Sequence, residues 1–419
     1  MKPLRDLRPP SWLTRLRRPD LRRPQVVGLA VLVAVALVAV TVVLTRSTQG
    51  GFSTALRGGA GEAAKKHAPP VRLTTKPADR ADGVPLDARV RVDAADGRIT
   101  EVKVSPASGE ALEGATTSDG RTWRSTGALA PGTRYRVSVT AADADGATTK
   151  RVSSFTTLTP STVLKTSIMP LNGQTVGVGM PIAVWFNHAV TDRAAVERKL
   201  KVETSGGVEG AWRWFNDREI HYRPEKFWPA GERVTLQVRL AGVKAGPGTW
   251  GVANRTVQFT IGDRRVSTVD ARTHKMKVTV NDRVVKAVPV STGRDKYPTT
   301  NGVHFVISKD ADKLMDSSTV GIPRDSPDGY YQHVAWSVRI SNSGEFVHAA
   351  PWSVGSQGRA NVSHGCVNMS TEAAQWFFKL VRPGDVVTVI GSPKKPNSWT
   401  LGVADWNISW SRWRAGSAL

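Results

Sequence analysis

Cys366 is the single cysteine of this 419-residue chain. It lies in a short run of mostly small and polar residues, Ser363-His364-Gly365-Cys366-Val367-Asn368. A lone cysteine cannot form an internal disulfide, and a thiol attacks as its thiolate, so an imidazole that takes its proton would activate it. The residue types therefore predict a cysteine nucleophile assisted by a histidine.

Two histidines are candidates for the base: His364, two residues from the cysteine, and His348, eighteen residues upstream. In an extended segment, a residue two positions away shares the cysteine's side of the backbone but need not reach its sulfur. His348 arrives from a separate predicted strand and can be oriented by a third group. We predict His348 as the general base and His364 as a supporting residue.

The glycine before the cysteine gives the backbone freedom for a sharp turn. Such a turn can aim the N–H groups of Gly365 and Cys366 at one point, as needed to stabilise the oxyanion of acyl transfer. Tyr330 is a further candidate donor. We expect Asn368 to hold the loop through side-chain to backbone hydrogen bonds.

Two other interpretations of Cys366 stay open. The first is an inert buried cysteine, although serine, histidine and glycine directly before it argue against an apolar pocket. The second is a zinc site with Cys366, His348, His364 and either His304 or His333 as ligands. No CxxC, HxxxH or HExxH spacing supports it, so we predict no metal and no cofactor.

Residues 26–45 form an uncharged run dominated by Val, Leu and Ala. Its length matches the roughly 20 residues that cross a bilayer as a helix. The arginine-rich segment 1–25 favours a cytoplasmic start, so we expect an uncleaved single-pass anchor in the cell membrane, with the rest of the chain outside the cytoplasm, in the cell wall space. A cleaved signal peptide is the alternative, but its apolar region would span about 7 to 15 residues.

The formal net charge is +23, and the first 25 residues hold only eight basic side chains against two acidic ones. The surplus therefore lies mainly in the extracytoplasmic part. Excess Lys and Arg attract polyanions; the compartment favours anionic wall material and argues against nucleic acid. A solvated basic face without a specific partner is an equal alternative.

The segment after the anchor is organised as a spacer and two β modules. Residues 46–70, rich in Gly, Ala, Ser and Lys, predict a flexible linker. From Val71, short alternating segments between Gly, Pro, Asp and Asn are typical of all-β sandwiches. We predict two tandem immunoglobulin-like domains, 71–159 and 160–262, within a mainly β fold.

An internal repeat supports the two modules. Residues 129–139 recur 99 positions later as 228–238, and Trp123 falls opposite Tyr222 at the same offset. The isolated histidines His188 and His221 are interpreted as structural. We expect a stalk, with carbohydrate or peptide binding as the alternative.

The third domain, 263–391, is predicted to be mostly β with one main helix. Lys275–Val280 and Val284–Val290 flank a turn at residues 281–283 and predict a hairpin. Further strands are expected at Val303–Ser308, Val334–Ile340, Glu345–His348 and Val386–Ile390. A helix capped by Ser370 or Thr371 is indicated by apolar residues at i, i+3, i+4 and i+7, namely Ala373, Trp376, Phe377 and Leu380.

The C-terminal segment 392–419 is unusually rich in tryptophan. It holds Trp399, Trp406, Trp410 and Trp413. So much aromatic surface favours packing over exposure, so we expect this segment to dock against the third domain. A membrane-interface role is the alternative.

The segment His348-x14-Ser363-His364-Gly365-Cys366-x-Asn368 resembles the signature of the L,D-transpeptidase (YkuD-like) catalytic domain. The similarity extends over residues 299–302, 315–319, 346–355 and 405–408. The chain is most similar to actinobacterial members with a membrane anchor, two immunoglobulin-like domains, a catalytic domain and a tryptophan-rich C-terminal subdomain. This resemblance covers nearly the whole chain after residue 70.

The resemblance implies two-step acyl transfer on peptidoglycan. Cys366 would attack a donor tetrapeptide stem, release D-alanine and pass the acyl group to an acceptor amine, giving a 3→3 cross-link. His348 would be the base, with its ring held by a backbone carbonyl. The substrate-binding positions would be Tyr330, Met315, Trp352, Ser363 and Asn368. Carbapenem β-lactams would acylate the same cysteine.

Two residues depart from the family pattern. Ala349 stands where relatives often carry serine, which leaves only a backbone contact to His348. Val320 occupies a flap position that can be aromatic, and we expect it to widen the donor pocket.

Other functions compatible with the same residues are an L,D-carboxypeptidase and attachment of a protein to the wall, both through the same acyl-enzyme. A non-catalytic wall-binding scaffold is the alternative from another class.

Overall fold

The computed structural model describes residues 67–396 and 405–419. The predicted segment 1–25, the anchor 26–45 and almost all of the linker 46–70 lie outside the described residues. None of the helices in these two ranges is long and apolar enough to span a membrane. The described part is dominated by strands, which confirms the predicted mainly β class.

The first module consists of two four-stranded sheets around one apolar core. Its strands are β1 Arg72–Lys76, β2 Ala81–Val84, β3 Arg91–Ala95, β4 Arg98–Pro106, β5 Gly114–Thr116, β6 Thr122–Ser125, β7 Arg134–Ala142 and β8 Thr148–Thr157. The sheet orders are β1-β3-β6-β5 and β2-β8-β7-β4. Alternating residues of each strand, such as Tyr135, Val137 and Val139 of β7, face the core, as expected for a sandwich.

The second module repeats this arrangement and adds a small third sheet. Its strands are β9 Thr162–Leu164, β10 Thr166–Met169, β11 Thr175–Val176, β12 Ile182–Phe186, β13 Leu200–Thr204, β14 Gly210–Asn216, β15 Glu219–Pro224, β16 Arg233–Arg239, β17 Lys244–Gly246, β18 Thr249–Gly251 and β19 Asn254–Ile261, with the short helix α1 Arg193–Glu197. The sheet orders are β10-β12-β15-β14, β11-β19-β16-β13 and β17-β18-β9.

The predicted internal repeat is confirmed by these orders. β7 and β16, which carry the repeated segments, lie at equivalent positions in their sheets, and so do β6 with Trp123 and β15 with Tyr222. In both modules a short strand pairs in parallel with the last long strand. One sequence pattern thus produced one topology twice.

The third domain has two sheets with the main helix packed against the second. Its elements are β20 Arg265–Asp270, β21 Lys275–Val280, β22 Arg283–Pro289, β23 Gly302–Phe305, β24 Ser308–Asp316, β25 Tyr331–Arg339, β26 Phe346–Ala349, β27 Val367–Met369, α2 Thr371–Leu380 and β28 Val386–Ile390, with 3-10 turns at Ser317–Val320 and Pro351–Ser353. The sheet orders are β22-β21-β20-β28-β23 and β24-β25-β26-β27.

The local predictions for this domain are largely confirmed. Asn281 and Asp282 adopt φ of +48° and +65°, the geometry of the tight hairpin turn that joins β21 to β22. Ser370 is the helix cap, and its side chain accepts the Ala373 N–H. The predicted strand Val303–Ser308 is wrong as one element, because the chain leaves the first sheet after Phe305 and enters the second at Ser308.

The second module and the third domain share a core. Phe305 and Val386 of the third domain belong to the apolar cluster of the second module. The backbones also meet, since Gly177 and Gly179 donate to Pro383 O and Gly384 O, each at 2.8 Å. A Cβ on Gly177 would lie 2.1 Å from the Asp385 nitrogen, so this contact requires glycine.

The C-terminal segment packs mainly on the second module. The prediction that it docks against the third domain is therefore wrong about the main partner. Trp413, on the short helix α3 Trp410–Arg414, is fully buried and donates its indole N–H to Ala211 O at 2.8 Å. The guanidinium of Arg223 lies 4.5 Å from the Trp413 ring centroid and 4.8 Å from that of Trp406. The guanidinium explains why the C-terminal segment packs on the second module, because the faces of aromatic rings attract a cation. Trp399 lies outside the described residues.

The third domain takes a smaller part in this docking. Asn407 accepts from Val303 N–H and donates to Val303 O, both at 2.8 Å. The C-terminal segment therefore contacts both the second module and the third domain.

A buried histidine reinforces the docking. His221 Nδ1 lies 2.8 Å from Asp405 Oδ1 and its Nε2 lies 3.0 Å from Glu219 Oε1. Burial opposes the charge of His221, but the two carboxylates outweigh it and raise its pKa to about 10. His221 is thus not isolated, although its environment fits the predicted structural role.

We expect Trp413→Ala to destabilise the second module by about 3–5 kcal/mol, because it removes a buried indole and opens a cavity. The measurement is the urea unfolding curve of the protein. Trp352→Ala is the control, since that ring is 57% exposed and its loss should leave the curve unchanged. Equal curves for both variants would contradict the docking described above.

Candidate active site

The site is built on one face of the paired strands β26 and β27. They run in parallel, with Val347 opposite Val367 and His348 opposite Asn368. Val347, Ala349, Val367 and Met369 all belong to the core of the third domain. Because side chains alternate along a strand, His348 and Asn368 face the other way. Cys366 precedes β27 by one residue and continues that alternation, so the predicted base and nucleophile share a face.

His348 is buried, with 4% of its surface exposed. Its Nδ1 lies 2.8 Å from Ala349 O, and a carbonyl only accepts, so Nδ1 carries the proton and Nε2 has a free lone pair. Burial lowers the pKa of His348 to about 4. The ring is therefore neutral above that pH and oriented as a base, and the missing serine at position 349 does not prevent this.

The thiol of Cys366 is partly buried. Its sulfur lies 3.8 Å from Gly344 O, and no hydrogen bond joins it to His348 within the part of the chain that the structure describes. Burial raises the pKa of Cys366 to about 12. The resting pair is thus a neutral thiol and a neutral imidazole, and proton transfer must accompany attack.

Ser363 closes the turn that carries Cys366. Its hydroxyl donates to Cys366 O at 2.6 Å and accepts the Gly365 N–H at 3.1 Å. Gly365 has φ +117°, a conformation that residues with a Cβ rarely adopt. The Gly365 N–H, predicted as an oxyanion donor, is therefore already engaged, and the same prediction for the Cys366 N–H stays a prediction.

Asn368 holds a neighbouring turn in place. Its side-chain amide donates to Ser353 Oγ at 3.0 Å, and its backbone exchanges hydrogen bonds with Ser291. The prediction of side-chain to backbone bonds by Asn368 is wrong, because the amide reaches a hydroxyl. It ties the turn Pro351–Ser353, and with it Trp352, to β27.

His364 contacts a charged cluster that includes Arg294 and Asp328. Its Nε2 lies 2.9 Å from Arg294 Nη2, so it accepts from the guanidinium. Burial, and then the positive charge of Arg294, lower the pKa of His364. A neutral imidazole that accepts from arginine cannot also take the proton of Cys366 from that nitrogen. This supports the choice of His348 as the base.

Two of the predicted substrate-binding residues, Tyr330 and Met315, lie in the segment from β24 to β25 (residues 308–339), which we call the flap. Tyr330 packs its ring 5.3 Å from that of His364; burial and then the negative charge of a Cys366 thiolate raise its pKa to about 12. Met315 lies near the end of β24 and pairs with Gln332. Trp352 lies across the site, with its ring 6.1 Å from that of His348.

Val320 lies at the end of the flap turn Ser317–Val320. A Cβ on Gly344 would lie 2.6 Å from Val320 Cγ1, so the small residue 344 lets the flap approach the carbonyl that the thiol contacts. The expected widening of the donor pocket by Val320 stays a prediction.

Sequence reasoning missed two charged residues beside the thiol. Glu345 is 95% buried, accepts from Thr300 N–H at 2.8 Å and has one carboxylate oxygen without a partner among the described residues. Arg339 is mostly buried, so its pKa is lowered, and it lies near enough to interact with a Cys366 thiolate. Glu345 is the first residue of the predicted strand Glu345–His348, although the observed strand begins at Phe346. Nothing in its sequence context marks it as buried.

Among the described residues, no group of three or more His, Cys, Asp or Glu side chains is arranged to hold a metal ion. His304 is buried, and its Nε2 lies 2.8 Å from Thr300 O. His333 lies on the flap, with its Nδ1 3.0 Å from Asp312 Oδ2. The zinc alternative therefore has no ligand set in the described ranges.

Comparisons with known proteins match two parts of the chain. A family described as L,D-transpeptidase catalytic domain matches residues 264–389, and one described as bacterial Ig domain matches residues 81–244. The chain is 43% identical to L,D-transpeptidase 2 of Mycobacterium tuberculosis over 83% of this chain and 85% of that protein. It is 35% identical to L,D-transpeptidase 5 of the same species, over 85% and 79% respectively.

Among solved structures, an L,D-transpeptidase in complex with imipenem has 37% identity and a TM-score of 0.49, covering 55% of this chain and all of that one. An L,D-transpeptidase from Mycobacterium smegmatis has 35% identity and a TM-score of 0.46, covering 54% and 98%.

The raised pKa of the Cys366 thiol predicts an unusual pH dependence of alkylation. With its pKa raised to about 12, we expect the rate of Cys366 modification by iodoacetamide to rise without a plateau from pH 7 to 10. Mass spectrometry reports this site alone, because the chain has no other cysteine. In urea the same protein should reach a plateau above the ordinary thiol pKa near 8.5. A plateau near pH 6 in the folded protein would instead indicate a thiolate–imidazolium pair.

We expect Gly365→Ala to cost roughly 1–3 kcal/mol of stability or to displace the turn. A residue with a Cβ is strained at this φ even where the Cβ has room. The nearest atom to an added Cβ is 3.7 Å away. Gly355→Ala is the control, since nothing lies within 4 Å of its added Cβ. Urea unfolding and the alkylation rate measure both effects, and matching behaviour of the two variants would contradict the role of the turn.

Proposed function

This chain belongs to the L,D-transpeptidase family, and we propose that it forms 3→3 cross-links in peptidoglycan by acyl transfer through Cys366. The observation that carries the proposal is the neutral, oriented imidazole of His348 on the same strand face as the chain's single thiol. Acyl transfer needs a nucleophile, a base and a backbone turn that positions the nucleophile. The thiol, the imidazole and the turn closed by Ser363 supply all three.

In the first step, the Cys366 proton moves to His348 Nε2 while the sulfur attacks the carbonyl of the third stem residue. The tetrahedral oxyanion collapses, and the amine of D-alanine leaves with the proton from the imidazolium. A thioester on Cys366 remains. Because both groups start neutral, no ion pair has to be desolvated before substrate arrives.

In the second step, an acceptor amine attacks the thioester and gives a proton to His348. The intermediate collapses to the new amide, and the thiolate recovers its proton from the imidazolium. Water in place of the amine would give hydrolysis, and an amine on a protein would give wall attachment. The same attack on a carbapenem carbonyl opens the β-lactam ring and leaves Cys366 acylated.

The proposal places this reaction outside the membrane, with the basic described part of the chain facing anionic wall material. The apolar run 26–45 behind an arginine-rich segment supports that location. The two β modules serve as the support that holds the third domain away from the bilayer.

The test is incubation of the extracytoplasmic part with disaccharide tetrapeptide, followed by mass spectrometry. We expect a dimer that has lost one D-alanine, no product with Cys366→Ala, and a rate reduced about 10²–10⁴-fold with His348→Gln. Tripeptide monomer alone would identify a carboxypeptidase. Products that persist in Cys366→Ala would overturn the enzymatic proposal.

A further inference from the structure

A carboxylate of the flap is held by three donors next to the cysteine loop, which we define as residues 363–368. Asp328 Oδ1 accepts from Arg294, while its Oδ2 accepts from Lys296 Nζ at 2.6 Å and from the Tyr297 hydroxyl at 2.9 Å. The Arg294 guanidinium also donates to His364. The set of donors is thus arranged for a carboxylate and touches the predicted active site.

All three donors come from one loop, which we call the cation loop (residues 293–299). It is fastened to the cysteine loop by the backbone, since Arg294 N–H donates to Ser363 O at 3.0 Å and Gly293 bridges to Ser363. A Cβ on Gly293 would lie 2.0 Å from Tyr297 O, so the cation loop is tightly folded. Its position therefore does not depend on Asp328.

The acceptor comes from a different segment of the chain. Asp328 lies in the flap loop between Val320 and Tyr330, which is closed by its own turn, with Gly329 N–H donating to Ser326 O. The Arg294 and Lys296 side chains are 33% and 67% exposed, and Asp328 is 20% exposed. A dissolved ligand can therefore reach the donors if the flap carboxylate moves.

We propose that the cation loop is a binding site for a carboxylate of the donor peptide stem, and that Asp328 occupies this site in the absence of substrate. The proposal deepens the function given above and rests on a peptide stem being the donor. The stem offers a carboxylate at its terminal D-alanine and another on its diamino acid, and both have the required chemistry.

Exchange of one carboxylate for another explains why such a site can be filled and emptied. If Asp328 left without a replacement, the partly buried guanidinium of Arg294 would lose its partner, which is costly, whereas the exposed ammonium of Lys296 would be solvated. A substrate carboxylate restores the same hydrogen bonds, so the exchange is nearly balanced. It also releases the flap, which carries Tyr330 over His364.

The experiment measures binding in the Cys366→Ala background, so that chemistry plays no part. Calorimetry compares tetrapeptides that end in D-alanine acid or D-alanine amide, and a third in which the carboxylate of the diamino acid is amidated. We expect the peptide with both carboxylates free to bind roughly 10- to 100-fold more tightly than the peptide whose recognised carboxylate is amidated. The amidation that weakens binding therefore identifies which of the two carboxylates is bound.

Variants locate the effect. Arg294→Gln should remove the preference, and Arg294→Lys should restore part of it. Asp328→Asn keeps the shape of the side chain but removes the competing charge, so the acid peptide should bind several-fold more tightly. Lys201→Gln, which breaks the exposed ion pair with Glu203 at 2.8 Å in the second module, is the matched control and should change nothing. Unfolding curves of each variant verify that it is folded.

Equal binding of all peptides, loss of binding in Asp328→Asn to the level of Arg294→Gln, or no binding at all would overturn the proposal. The proposed function can fail separately. A carboxylate preference that depends on Arg294, together with no Cys366-dependent product in the cross-linking assay, would keep this site and reject the transpeptidase activity.

Discussion

The parallel pairing of β26 with β27 is the constraint on which the site depends. It sets Val347, Ala349, Val367 and Met369 into the core, and their burial fixes the register, because a slip by one residue would turn every side chain to the opposite face. The chemistry of the other face is therefore held by apolar packing that takes no part in it. This division lets His348 be oriented by a neighbouring backbone carbonyl alone.

Much of the site was predictable from the sequence because its signals are local. The cysteine run, the turn at Gly365 and the alternation around His348 each lie within a few residues, and the helix cap at Ser370 and the hairpin at Asn281 are of the same kind. The repeat revealed the second module because two copies of one pattern lie in the same chain.

What could not be predicted depends on partners far apart in the chain. The C-terminal tryptophans were recognised, but their partner Arg223 lies about 180 residues away, and nothing in the sequence links the two segments. The burial of Glu345 and the contact of His364 with Arg294 have the same cause. The Gly365 N–H is a local example. The sequence suggested it as an oxyanion donor, but did not indicate that it would donate to the Ser363 hydroxyl.

The docking of the C-terminal segment has a consequence for the order of folding. Glu197 accepts hydrogen bonds from Trp214 within the second module and from Ser417 and Ala418, and His221 binds Asp405. Synthesis proceeds from the N-terminus, so the second module is made well before the residues that satisfy these buried charges. Until these residues are made, the aromatic surface and the ionised groups that they cover stay exposed. The second module is therefore completed only after the third domain has been made.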